Sequence, residues 1–261
     1  MLTVEGLRAG YGPIEVLHGL DLTVSQDEVV VVIGPNGHGK STLLRAVSGL
    51  IARRGGTVHF QGERIDGLSA ERVVQRGLVH IPQGDLLFPD MTVAENLRLG
   101  AFRDTDRRSR SEQLDWVCSV FPRLGERLTQ RARTLSGGER RMVALGRGLM
   151  SRARLLMVDE PSLGLAPILV EELYRQIRQI AASGVTVLLV EENFARVREI
   201  ADRLYLIEDG DVVMSGTADQ VLTDSAVTLT YLGIDGIGGG SLLTICCRPW
   251  SAPSSRGPSS P

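Results

Sequence analysis

The sequence predicts an α/β fold with a mostly parallel core sheet, an antiparallel β region before it and a helical insertion within it. Three observations carry this. Short apolar, β-branched runs alternate with helical stretches, the order that builds a parallel sheet covered by helices. The first 24 residues instead alternate apolar and polar positions, as half-buried antiparallel strands do. From about residue 92 to 150 the strand signal gives way to helical periodicity. The chain has 261 residues, 43% apolar and 23% charged, enough for one large domain with a sizeable core.

LTVEGLRAGY (2–11) and IEVLHGLDLTV (14–24) read as two strands of an antiparallel sheet. EVVVVIG (28–34) is a continuous β-branched run, as in a strand buried on both faces. KSTLLRAVSGL then reads as a helix, and GGTVHFQGE (55–63) as a strand punctuated by glycine. TVAE (92–95) is a capping box that opens a helix of the insertion. The arginine-rich RDTDRRSR (103–110) reads as a solvated helix or loop face. Strands return at RLLMVDE (154–160), GVTVLLVEE (184–192) and RLYLIEDGDVVMSG (203–216). Between them, residues 167–182 form a helix whose apolar face carries Ile168, Leu173, Ile177 and Ile180. The domain ends at about residue 233, and residues 234–261, rich in Gly, Pro and Ser, read as a disordered tail. Cys246 and Cys247 in that tail lack the polybasic or amphipathic signal that accompanies a lipid anchor.

Composition narrows the function classes. The formal net charge of −2 supplies no global field toward nucleic acid or lipid, so no nucleic-acid partner is expected. No apolar run approaches the length of a membrane span. The opening residues alternate like a strand and not like a leader peptide. The three cysteines have no metal-ligand spacing and suggest no disulfide framework.

Chemistry concentrates in GPNGHGKST (34–42). Gly34, four further residues and then Gly39-Lys40-Ser41 match the P-loop pattern, with a strand before and a helix after. Gly34, Gly37 and Gly39 let the backbone turn tightly and aim N–H groups at phosphate oxygens. Ser41 can place its hydroxyl on Mg²⁺, and Thr42 can reach another phosphate. Pro35, Asn36 and His38 fill the variable positions. Lys40 is the only lysine of the chain, among 29 basic residues. A compact ammonium can bridge β- and γ-phosphates where a planar guanidinium would collide with the loop. ATP with Mg²⁺ is therefore the expected pair.

Asp159-Glu160 ends an apolar strand. Asp159 could hold Mg²⁺ through water, and Glu160 could orient or deprotonate the attacking water. Read alone, a solvated acidic turn is the commoner explanation. In LSGGERR (135–141), Ser136 and Glu139 form a capping box, and Gly137 and Gly138 leave backbone N–H groups uncovered. This is either an ordinary capped helix or a second anion site. One nucleotide needs one cradle, so a second points to use in trans, on a neighbouring molecule's ATP.

GPNGHGKST, LSGGE and LLMVDEP, in this order, resemble the Walker A, signature and Walker B motifs of ABC-type ATP-binding subunits. The resemblance spans about residues 2–233 and implies a P-loop NTPase fold of ABC type. It implies that Tyr11 stacks on adenine. It also implies that Gln83 of HIPQG is the Q-loop glutamine, contacting Mg²⁺ and the lytic water and relaying to a transmembrane partner. Two such domains would pack head to tail, each ATP between one Walker A and the other LSGGE. FPDMTVAENL (88–97), EPSLGLAPILV (160–170), LLVEEN (188–193) and a domain end at YLG are similar to the LivF-type subunits of branched-chain amino acid importers. The implied partners are a LivG-like ATPase or a second copy, two permease subunits and, indirectly, an extracytoplasmic solute-binding protein. The implied place is the cytoplasmic face of the membrane. Urea and short-chain amide importers share much of this pattern, and single-domain ABC ATPases of iron–sulfur assembly share the three core motifs.

Two departures stand out. LivF-like subunits often carry glutamate where this chain has Gln83. At the switch position, usually histidine in the family and glutamine in LivF-like subunits, it has Glu192. A histidine or glutamine can donate to the γ-phosphate, whereas an ionised glutamate repels it. Glu192 is expected either protonated near phosphate or turned away, with slow hydrolysis that relies on Glu160 and the partner.

Overall fold

The computed structural model describes residues 1–192 and 197–223. Its centre is a six-stranded sheet in the order β10-β9-β3-β8-β7-β6. The strands are β3 (Val29–Ile33), β6 (Leu78–Ile81), β7 (Leu155–Asp159), β8 (Thr186–Glu191), β9 (Arg203–Glu208) and β10 (Asp211–Thr217). All neighbours are parallel except β10, which folds back antiparallel on β9. The stretch 203–216 is thus a hairpin, turning at Asp209-Gly210, where Asp209 (φ 45) and Gly210 (φ 83) both take positive φ.

Side chains alternate across the sheet and feed two separate cores. Val29, Val31, Ile33, Leu156, Val158, Val187 and Leu189 face one. Val30, Val32, Leu155, Met157, Leu188 and Val190 face the other. This is why β3, β7 and β8 read as unbroken apolar runs: both faces are covered. The first core is covered by α3 (Val93–Gly100), α4 (Arg107–Val120), α5 (Pro122–Gly125), α6 (Gly137–Leu149) and α7 (Pro167–Ala182). The second holds α1 (Lys40–Val47), α2 (Ala70–Gln75) and the antiparallel sheet β2-β1-β4-β5. That sheet comprises β1 (Leu2–Tyr11), β2 (Ile14–Val24), β4 (Arg53–Phe60) and β5 (Glu63–Arg64). A last short helix, α8 (Ala218–Thr223), follows β10.

The helical insertion is present as expected, and both capping boxes close. Thr92 Oγ1 accepts from Glu95 N at 3.2 Å while Thr92 N donates to Glu95 Oε2 at 2.7 Å. Within RDTDRRSR, Asp106 caps α4 by accepting from Arg108 N at 3.0 Å. One expectation needs correction. Ile168 is 70% exposed, and Val170 takes its place on the buried face with Leu173, Ile177 and Ile180. Pro167 opens α7, so residue 168 sits in a first turn that overhangs the core, where periodicity alone overcounts the buried stripe. β6 and α2 have no counterpart in the sequence reading; β6 is only four residues long. The predicted tail, its two cysteines and the YLG stretch lie outside the described residues.

Candidate nucleotide site

Register brings the functional residues to one edge. Ile33 pairs with Glu191 and Asp159 with Val190, so β3, β8 and β7 end level at their carboxyl ends. Ligands of open parallel sheets bind at this edge, in the crevice where crossovers diverge. β3 sits between β9 and β8, and its loop into α1 opens on that crevice.

The loop needs its glycines for two different reasons. Gly34 lies so close to the Ile207 carbonyl that a Cβ would collide with backbone. Gly39, the residue before α1, has φ 100, a conformation costly for any side chain. No side chain caps α1, and its first turn carries no acid. A cleft of about 220 Å³ is lined by Asn36, Gly37, Gly39, Lys40, Ser41, Thr42, Gln83 and Glu160.

The catalytic candidates are interlocked. Lys40 Nζ, 4% exposed, donates to the carbonyls of Gly34 (2.9 Å) and Pro35 (3.0 Å) and lies 3.6 Å from Glu160 Oε1. Gln83 Nε2 donates to the other Glu160 oxygen at 2.8 Å. Glu160 is buried and adopts φ 45, while its N–H donates to Val190 O at 3.0 Å. A glutamate in the left-handed region stores strain of order 1–3 kcal/mol, maintained by the surrounding contacts.

Ser41 Oγ donates to Asp159 Oδ1 at 2.9 Å. The other oxygen, Asp159 Oδ2, is buried and has no hydrogen-bond partner. Burial raises the Asp159 carboxyl above its ordinary range, against the Ser41 bond and the charges of Arg45 and Lys40. A buried carboxylate oxygen without a donor is costly. Together with a hydroxyl 2.9 Å away, it is the donor set a hard divalent cation takes, so these residues fit Mg²⁺.

The signature residues stand apart from this cleft, and none lines it. Ser136 caps α6 and shares a closed box with Glu139, whose Oε1 lies 2.8 Å from Arg127 Nε. Tyr11 is also outside the lining. It ends β1, 42% exposed, and its hydroxyl accepts from Arg45 Nη1 at 3.1 Å. His38 turns to the β9–β10 hairpin, its Nδ1 accepting from Asp209 N at 2.9 Å. Glu192 is exposed and borders a neighbouring cleft of about 330 Å³ with Glu160, Ser162, Leu163, Gly164 and Glu191.

Two residues of this region escaped the sequence reading. Glu191 is 2% exposed and accepts from both N (3.2 Å) and Oγ (2.8 Å) of Ser162, fixing the loop after Glu160. Burial raises its carboxyl, against those two bonds. Asp85 accepts from Arg140 Nε at 3.0 Å and lies 3.6 Å from Arg141, tying the loop after Gln83 to α6. An acid directly after the apolar run 187–190 was the available signal for Glu191; nothing local marked Asp85.

The ABC transporter family model matches residues 17–163, more than half of the chain. The chain belongs to the ABC transporter family. It is 42% identical to the "high-affinity branched-chain amino acid transport ATP-binding protein BraG" of Pseudomonas aeruginosa, over 89% of this chain and all of that protein. It is 35% identical to the "probable branched-chain amino acid transport ATP-binding protein LivF" of Archaeoglobus fulgidus, over 90% of this chain and 99% of that one. Among solved structures it resembles the ADP conformation of an ATP-binding cassette of an ABC transporter, with TM-score 0.81 and 27% identity over 90% of this chain and 99% of that one. The ABC fold class expected from the motifs is the one observed. The chain is an ABC-type ATPase, the ATP-binding subunit of a transporter.

Proposed function

We propose that this ABC subunit powers uptake of branched-chain or other hydrophobic amino acids from the cytoplasmic face of the membrane. The observation that carries this is the 42% identity running the full length of BraG. The site supports ATP turnover. The P-loop N–H groups and Lys40 stabilise charge that develops on the transferred phosphate. Glu160 takes a proton from the water that attacks the γ-phosphorus as ADP leaves. Gln83, already bonded to Glu160, holds that carboxylate toward the cleft. Mg²⁺, held by Ser41, Asp159 and Gln83, would neutralise phosphate charge.

Lining the ATP cleft from one chain leaves Ser136, Gly137 and Gly138 for a neighbour's nucleotide. A head-to-tail pair with a second ATPase, LivG-like or another copy, satisfies both. Membrane subunits have a place to dock beside Gln83. An apolar groove of about 210 Å³ is lined by Val79, Pro82, Leu99, Phe102 and Arg147, among others. Phe102, which lines it, is 71% exposed. Among the described residues no helix is long and apolar enough to cross a membrane.

The test is capture of Glu160→Gln, which slows hydrolysis and holds the ATP-bound assembly, from native membranes in mild detergent. Two hydrophobic permeases and a second ATPase are expected, and the associated binding protein should take leucine in preference to urea or amides. A preference for urea or amides would move the solute assignment. Soluble scaffold proteins without permeases would overturn transport and leave the ATPase standing.

A further inference from the structure

We infer that an arginine-lined cavity between α3 and α4 binds a phosphate-bearing anion. The cavity is about 420 Å³, lined by Arg98, Arg107, Arg110, Ser111 and Leu114. It shares no residue with the ATP cleft. Small-molecule pockets run from roughly 300 to 1,000 Å³, so the size suits a small ligand.

The charges in it are unbalanced. Among the described residues, none of the three guanidiniums makes a hydrogen bond or close ion pair, although the arginines around them do. Arg103 pairs with Glu71, Arg108 with Glu112, and Arg152 with Asp104 and Ser109. The acids near the cavity are engaged elsewhere. Glu95 accepts from Thr92. Asp104 accepts from Ser109 and from Asp106 N, and Asp106 caps α4. Glu95 and Asp104 feel Arg98 and Arg110 only as more distant charges.

Local helix physics accounts for only part of this placement: Asp106, the N-cap of α4, precedes Arg107 and lies one turn before Arg110. Arg98 lies in the last turn of α3, where a cation is favourable. Arg107 and Arg110 lie at the start of α4, whose first turn contains no acid. There the helix dipole disfavours cations, by typically 0.3–1 kcal/mol each for exposed groups at low salt. Guanidinium forks bind phosphate oxygens in pairs, the Ser111 hydroxyl adds a donor, and Leu114 offers an apolar wall to the organic part. Leu99, Gly100 and Phe102, next in sequence to Arg98, line the groove beside Gln83. An anion held here would thus stiffen α3 at the docking face. Its source is either a free phosphorylated small molecule or an anionic phospholipid headgroup.

The experiment uses the full chain with its P-loop saturated by Mg²⁺ and a non-hydrolysable ATP analogue, so that phosphate cannot enter there. One arm titrates inorganic phosphate by calorimetry. The other measures co-sedimentation with vesicles of phosphatidylcholine, with and without phosphatidylglycerol. Binding in the first arm identifies a free phosphate, and binding in the second arm alone identifies a headgroup. In either case Arg107→Gln/Arg110→Gln should weaken it by about tenfold or more. The same variant should keep basal ATPase activity and an equal or higher Tm, since it relieves the helix end. A merely structural role for these arginines would lower Tm instead. No binding in either arm, or binding that the double variant leaves intact, overturns the proposal.

Discussion

The helix starts at Gly39 and Ser136 use the same physics, uncovered N–H groups at a positive helix end, yet they differ in how much the chain keeps for itself. At α1 no side chain caps the helix, no acid lies in the first turn, and the ammonium of Lys40 stands beside the open donors. At α6, Ser136 Oγ already accepts from Glu139 N at 3.3 Å, and Ser136 N donates to Glu139 Oε2 at 2.8 Å. Burial raises the Glu139 carboxyl, but the bonds from Ser136 and the charges of Arg127 and Arg123 outweigh that and hold it below its ordinary range. The α6 start therefore keeps a carboxylate beside its remaining N–H donors. Under the proposed head-to-tail pairing, α1 would hold a polyphosphate with its own donors, whereas α6 would complete a site only when another surface presents the phosphate.

The strongest way to break this contrast is at Lys40. Lys40→Ala should lower ATP hydrolysis by about 10²–10³-fold, as loss of a preorganised charge donor does. Lys40→Arg should fail to restore it, because the fork cannot reproduce a buried point charge. Steady-state phosphate release measures both, and wild-type turnover by Lys40→Arg would refute the assignment.

The second way tests trans use. Ser136→Ala should cost about 1 kcal/mol of stability through the lost cap and also depress hydrolysis. Mixing Ser136→Ala with Lys40→Ala should then regain activity that neither has alone. A mixed pair contains one intact Lys40 facing one intact Ser136. Absence of recovery at concentrations where the pair forms would remove the head-to-tail arrangement.

The far end of α1 offers a smaller effect that isolates folding from catalysis. Ser48, after α1, shares a hydrogen bond with His80 Nδ1 at 3.3 Å. Burial, with the charge of Arg45, pushes His80 down to about 4 from an ordinary 6.5. The unfolded chain then binds that proton more readily than the folded one. Stability is full above about pH 6.5 and falls as pH drops toward 4, by up to about 3 kcal/mol. His80→Gln should flatten this part of the profile, measured by urea unfolding across that range. An unchanged slope would show that other groups set it.

The smallest expected change is at Glu192. Exchanging it for Gln or His replaces a carboxyl side chain bordering the neighbouring cleft with a hydrogen-bond donor and should raise kcat by a few-fold. A constant or lower rate would sink the idea that Glu192 slows hydrolysis.

Local signals reached far in this chain. β1, β2 and α7 span the residues that alternation and 3.6-residue periodicity indicate. The P-loop declared itself because its glycine, lysine and serine spacing is dictated by one short stretch of backbone. Other features were less visible. β6 is too short for a periodic signal and is stabilised by pairing with β7, over seventy residues away. The exposure of Ile168 depends on where α7 crosses the core, which its own sequence does not encode. Tyr11 and Glu192 were assigned by resemblance, and the geometry leaves both outside the lining of the ATP cleft.

The sequence by itself determined the alternation of strands and helices, the two capping boxes, the phosphate loop and the presence of acids at a strand end. Each follows from contacts within about ten residues, which local propensity and spacing encode. Only the tertiary structure decided that Gln83 bonds Glu160, that Asp159 keeps one oxygen orphaned beside Ser41, and that Glu191 anchors Ser162. Those contacts join residues 29 to 118 positions apart. They exist because the parallel register of β3, β8 and β7 brings distant strand ends level, and such a register is set by packing on both faces of the sheet.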